Sequence, residues 1–332
     1  MPSFGSLCSQ AVRSFRNRAY SNLVVPDLSS RKFIFAKHTL CRRTSTMSTS
    51  PVNTEDYVGQ SGLHYQIERV LQDETDPRRH VCLATAGDRK FILKYIHAVN
   101  FEYLKDINNR LRNNASHVRL TQDIIPDQSM FVFEYFADHL LRLSQKDLSL
   151  GTVKRILKDG LRGIAEMHDQ DIVHTDIKAD NFFVNWKDSQ DGVMIERAHA
   201  KGPVGKPSDI FSYALVCICV LYKHVILAVG EDELDEGIHR LAIVIERQIS
   251  YFADEVGLNG LFEHLGDNPW VPIFKVTWDG LNKENPRQPF ALWKQIDDDF
   301  KDLICGMTNF DPKKRITARE ALEHQWFQGV LR

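Results

Sequence analysis

The sequence predicts an α+β fold in two unequal lobes, a small antiparallel sheet carrying one helix and a larger helical part. Three observations carry this. Residues 65–136 hold apolar runs of strand length rich in Val, Ile, Leu and Phe. Gly87-Asp88 stands between two of those runs as a hairpin signal. Beyond residue 137 the apolar residues recur at helical spacing instead. Strands followed by helices, rather than alternating with them, mark an α+β chain.

The elements follow in order. YQIERVL (65–71), HVCLAT (80–85) and KFILKYI (90–96) read as three strands. FEYLKDINNRL (101–111) places Leu104, Ile107 and Leu111 on one helical face. MFVFEYF (130–136) is a further strand. Ser149 is placed to cap a helix whose buried face is Val153, Ile156, Leu157, Leu161 and Ile164. The apolar run 210–222 is shorter than the ~20 residues of a membrane span and reads as a buried helix. No internal repeat is visible.

Composition narrows the function. Hydrophobic residues make up 43% and charged residues 26%, values of a globular protein with a proper core. Eight of the 42 Lys/Arg but only one of the 44 acids, Asp27, fall in residues 1–50, so the remainder carries a net charge of -9. An acidic body argues against nucleic acid as a partner, because neutralising phosphates takes clustered positive charge. The six cysteines are scattered without metal-ligand spacing, which predicts reduced thiols and a reducing, cytoplasmic setting. The Arg- and Ser-rich segment 1–55 reads as a disordered basic tail or, alternatively, a mitochondrial targeting sequence. The acidic stretch 231–236 reads as a solvated loop or helix start.

The chemistry concentrates in IVHTDIKADNFFV (172–184). His174, Asp176, Lys178 and Asn181 stand at the mutual spacings of the catalytic loop of protein kinases, which the run closely resembles. Its neighbours agree in type and order. Lys94 in FILKYI resembles the strand lysine that pairs with ATP phosphates. MFVFEYF resembles the hinge, with Phe133 as gatekeeper. KPSDIFSYALV resembles the buried helix that carries Asp209, and NFDPKKRITAREALEHQWF the closing helices with Arg315. The resemblance is to the eukaryotic, fungal-like Ser/Thr-type protein-kinase domain. It covers 60–330, with a small lobe at 60–136 and a large lobe at 137–330.

That resemblance implies ATP and Mg²⁺ as cofactors and a protein as substrate or binding partner. Asp176 would act as catalytic base and Lys178 would steady the transferring phosphoryl group. Asn181 would hold the metal through oxygen. Val81, Lys94, Glu134, Phe136 and Phe183 would form the ATP site. Glu102 and Asp106 both lie on the helix that should supply an acid to Lys94, and Asp106, preceding Ile107, fits the family pattern better.

Three parts depart from the family. The stretch LQDETDPRRHV (71–81) has no glycine where phosphate-cradling amides need glycine, and it adds Asp73, Glu74 and Asp76. Ile92 replaces a small alanine, and Thr175 replaces an arginine. No Asp-Phe-Gly follows NFFV, and Asp191-Gly192 reads as a turn before the strand MIER. Asp209 follows Asp176 by 33 positions, too few to hold an activation segment. The text breaks abruptly between Arg197 and Ala198, as after loss of one contiguous block through a skipped exon or an error in the predicted gene rather than an evolved shortening. These departures open a second expectation, an inactive pseudokinase serving as a scaffold. They also predict an orphaned Arg315, whose replacement by Leu would cost nothing unless Glu196 or Glu320 has taken it as partner.

Overall fold

The computed structural model describes residues 56–72, 81–185, 193–196, 205–234 and 239–330, and the chain divides into two compact units at residue 205. The readings placed on 1–55, on 73–80, on Asp191-Gly192 and on the break at 197–198 lie outside the described residues.

The first unit opens with strands β1 (Asp56–Val58), β2 (His64–Gln72), β3 (Val81–Ala86) and β4 (Arg89–Tyr95), then helix α1 (Ala98–Arg112). Strands β5 (Val118–Arg119), β6 (Thr121–Ile125) and β7 (Met130–Glu134) follow. Six of these make one antiparallel sheet in the order β1-β2-β3-β4-β7-β6. The β3–β4 hairpin closes on Gly87-Asp88 with Ala86 opposite Arg89, and Gly87 takes φ +59°, which a primed hairpin turn requires. One face of the sheet buries Tyr65, Ala84, Phe91, Leu93 and Val132 together. Helix α1 buries Leu104, Ile107 and Leu111, as its periodicity predicts, and Phe101 meets Phe131 with ring centroids 5.0 Å apart.

Strand β6 escapes a reading based on alternation because its Asp123 is buried. The carboxylate accepts from the Ser61 backbone N–H at 3.1 Å, from the Ser61 hydroxyl, and from the Tyr65 hydroxyl at 3.0 Å. Burial first, then Asp123, pushes the Tyr65 phenol up to about 12, so it stays a donor.

The same unit continues with β8 (Asp138–His139), the short helix α2 (Leu140–Leu143), α3 (Leu150–Asp169), β9 (Phe182–Val184) and β10 (Val193–Glu196). A second sheet runs β5-β10-β9-β8, with β10 parallel to β5. Ser149 caps α3 by accepting from the Thr152 N–H, and Val153, Ile156, Leu157, Leu161 and Ile164 are all buried. Near the start of β5 the His117 imidazole lies 2.7 Å from Glu166 on α3. Burial alone would raise the Glu166 pKa, but bonds from the His117 ring and backbone outweigh it and hold the carboxyl below its ordinary range.

The second unit is helical: α4 (Lys206–Tyr222), α5 (Arg240–Phe252), α6 (Glu255–Leu265), α7 (Val271–Asp279), α8 (Asp298–Met307) and α9 (Ala318–Glu323). Helix α4 is the buried helix expected from its apolar run, and Asp209 in its first turn is buried. Ile245, Ile249, Leu258, Ile273 and Phe310 form one cluster, and the ring series Phe290, Phe300, Trp326, Phe327 links α8 to the chain end at centroid separations of 4.8–6.5 Å. Residues 231–233 form a 3-10 turn whose Glu231 and Glu233 pair with Arg240 and Arg247.

Arg315 corrects its expectation. Its Nε and Nη2 donate to the Asn309 carbonyl at 2.8 and 2.6 Å, its Nη1 donates to the Pro207 carbonyl at 2.7 Å, and it lies 5.1 Å from the Phe211 ring centroid. Glu320 is engaged elsewhere, closing a capping box with Thr317 at the start of α9. Among the described residues, backbone carbonyls rather than a carboxylate accept from this arginine. The α+β fold expected from the sequence, a sheet-rich first part with one helix followed by a helix-rich remainder, is present.

Candidate active site

Helix α3 delivers the chain into residues 172–181, a loop closed at its far end by a 3-10 turn at Ala179–Asn181 and by β9. His174 is fully buried, and its Nδ1 accepts the Asp176 backbone N–H at 3.2 Å, which pins the loop from below. The Asn181 amide donates to the Asp176 carbonyl at 2.7 Å and to Asp176 Oδ2 at 3.1 Å. Lys178 Nζ reaches the same Oδ2 at 2.9 Å. Asp176 is thus oriented through one oxygen. Among the described residues, its Oδ1 has no hydrogen-bond donor.

The Asp176 and Lys178 side chains are 53% and 52% exposed. An ion pair that wet contributes only ~0–1 kcal/mol to stability, so its value lies in orientation. Backbone strain accompanies it. Asp171 and Thr175 take φ +56° and +63°, and a β-branched residue in the left-handed region is an outlier. Such strain, about 1–3 kcal/mol, persists where the surroundings over-determine a functional loop.

The other sequence-predicted residues fall in the same unit. Lys94 lies on β4 opposite Val81 on β3 and Phe131 on β7, and it is half-buried. Phe133, Glu134 and Phe136 lie at the end of β7 and just beyond it, and Phe183 lies on β9. Phe136 and Phe183 have ring centroids 6.2 Å apart. Asp106 is exposed on α1, and among the described residues no ion pair joins it to Lys94; Glu102 instead faces Lys105 at 3.8 Å.

As a site for a hard cation the loop fits in part. Asn181 uses its NH₂ on Asp176, so its amide oxygen faces away from that contact as a candidate ligand. Among the described residues no group of three His, Cys, Asp or Glu stands close enough to form a cage.

One residue escaped the sequence reading. Arg119, on β5, is 3% exposed. Its Nε donates to the Glu134 carbonyl oxygen at 3.1 Å, and its Nη2 donates to the same oxygen. The guanidinium carbon lies 4.6 Å from the Phe183 ring centroid, 5.0 Å from Phe133 and 5.4 Å from Phe136. A single arginine in a polar stretch ordinarily reads as solvated. Its only distinguishing sign in the sequence is its place between the apolar Val118 and Leu120.

Comparison with known proteins bears on the fold. Residues 193–327 match the family model of the protein kinase domain. The chain is 25% identical over 240 residues to cell division control protein 2 homolog 2 of Trypanosoma brucei brucei, covering 66% of this chain and 67% of that one. It is 24% identical over 249 residues to cyclin-dependent kinase 1 of Encephalitozoon cuniculi, covering 66% and 80%. It is 23% identical over 294 residues to a putative ribosomal protein S6 kinase alpha-1 of Caenorhabditis elegans, where 86% of this chain spans only 35% of the relative. No helix among the described residues is long and apolar enough to cross a membrane. The fold, the family model over 193–327 and these relatives support a domain of the protein-kinase superfamily.

Proposed function

We propose that this chain is a serine/threonine protein kinase that keeps the hydroxyl-accepting half of its site and has a weakened nucleotide half. The observation that carries the reading is the closed arrangement of Asp176, Lys178 and Asn181, in which one carboxylate oxygen is tethered twice and the other is left for the substrate. Phosphoryl transfer is mostly positioning and charge stabilisation, and this loop supplies both. Asp176 orients the protein hydroxyl and takes its proton as the hydroxyl oxygen attacks. Lys178 stands beside the group being transferred and offsets its charge. ATP, when bound, would supply the γ-phosphoryl group and leave as ADP, and Mg²⁺ would offset the charge of the phosphates. Lys94 is the candidate for the phosphates, with Asp106 as a distant acid partner, and Val81, Phe136 and Phe183 flank the base. The Asn181 amide oxygen is the candidate metal ligand.

A second reading, an inactive scaffold, is favoured by the guanidinium seated on the Glu134 carbonyl and by the short span from Asp176 to Asp209. Thermal unfolding with ATP, in the presence and absence of Mg²⁺, separates the two. The kinase reading expects a rise in Tm that requires Mg²⁺, because anything binding only the folded state stabilises it by mass action. A metal-independent rise, or none at millimolar nucleotide, would reject it in favour of the scaffold.

A further inference from the structure

The hinge carbonyl expected to receive the adenine amino group is already taken. A peptide oxygen has two lone pairs, and Arg119 directs two N–H groups at the one on Glu134. The guanidinium is buried among Phe133, Phe136 and Phe183, the last two expected beside the purine. We propose that Arg119 is an internal competitor for the nucleobase and sets the affinity and base selectivity of this site. The inference rests on the kinase reading above, since it takes 133–136 as the hinge.

The competition is specific in its chemistry. Adenine presents an amino donor and needs the Glu134 oxygen as acceptor, so it binds only the fraction of molecules in which Arg119 has turned away. Apparent affinity falls by that fraction. Hypoxanthine carries a carbonyl where adenine carries the amino group. That carbonyl accepts from the guanidinium and makes no demand on Glu134. Removing the guanidinium therefore favours adenine selectively, whereas a general loosening of the cleft would favour both bases alike.

The test is calorimetric titration of ADP and of inosine diphosphate, each with Mg²⁺, into the full chain and into Arg119→Met, which keeps apolar volume but cannot donate. The proposal expects ADP to bind Arg119→Met at least tenfold tighter than wild type, with inosine diphosphate changing less than threefold. Equal gains for both nucleotides, or no gain for ADP while wild type binds it measurably, would overturn the competitor role and leave the kinase reading standing. Failure of both proteins to bind either nucleotide would overturn both. Should Arg119→Met fail to fold, a crystal structure of the wild-type chain soaked with adenosine decides: Arg119 is expected off the Glu134 oxygen, and adenosine seated at the hinge with that bond intact would contradict the proposal.

Discussion

The two compact units of this chain use arginine in opposite ways, half-buried in one and buried in the other. In the helical unit, Arg315 spreads its donors over the Asn309 and Pro207 carbonyls and stacks on Phe211, fixing the segment before α9 to the start of α4. In the sheet-bearing unit, Arg119 puts two donors on one carbonyl amid residues expected to receive a ligand. The first arrangement serves architecture. The second stands among the residues of a candidate site. The family match falls mostly in the helical unit, since the family model aligns with 193–327 while the loop at 172–181 lies outside that span. Likeness of framework identifies the fold, and activity has to be argued from the site.

Three perturbations sharpen this contrast. The largest expected loss comes from Arg315→Leu, which leaves two carbonyls without their donors. An orphaned buried acceptor costs about 1–3 kcal/mol, so Tm should fall by several degrees. An unchanged Tm would restore the view of Arg315 as a dispensable relic of a lost partner. Glu166 comes next. Its folded-state pKa lies below its unfolded one, so its contribution is complete above the unfolded value and is lost as pH falls through the folded value. Glu166→Gln should therefore flatten the acid limb of a stability–pH curve, and an unaltered limb would show that the His117 contact is not stabilising. The smallest effect is expected at Thr175. Asparagine tolerates the left-handed region far better than a β-branched residue does, so Thr175→Asn should raise stability by about 0.5–1 kcal/mol in denaturant unfolding. A loss instead would mean that the threonine side chain itself holds the loop.

Much of the fold was legible because local signals agreed with one another. Ser149 and the spacing of Val153, Ile156 and Leu157 gave α3 its start and its buried face, and Gly87-Asp88 set the β3–β4 register. The placement of the loop at 172–181 was legible because four polar residues at fixed spacing sit between an amphipathic helix and a short apolar strand. Strand β6 was not, since a buried Asp123 reads as polar until Ser61 and Tyr65 are known to reach it from about sixty positions away. Strand β5 was hidden for the same reason, its partner β10 being distant in sequence. Arg315 was misjudged because sequence proposes carboxylates as partners for a guanidinium and is silent about carbonyls. Arg119 combined both difficulties, with its ligands spread over β7 and β9.

The account turns on Asp176 being a working base in a site whose nucleotide side is weakened. Its most direct test is the initial rate of γ-phosphate transfer from saturating ATP and Mg²⁺ to a serine/threonine peptide library, wild type against Asp176→Asn. A general base contributes about 10²–10⁴-fold, so the variant should lose at least a hundredfold while thermal stabilisation by ATP stays the same. Wild-type transfer no faster than that of Asp176→Asn would contradict the account and leave a kinase-shaped binding protein.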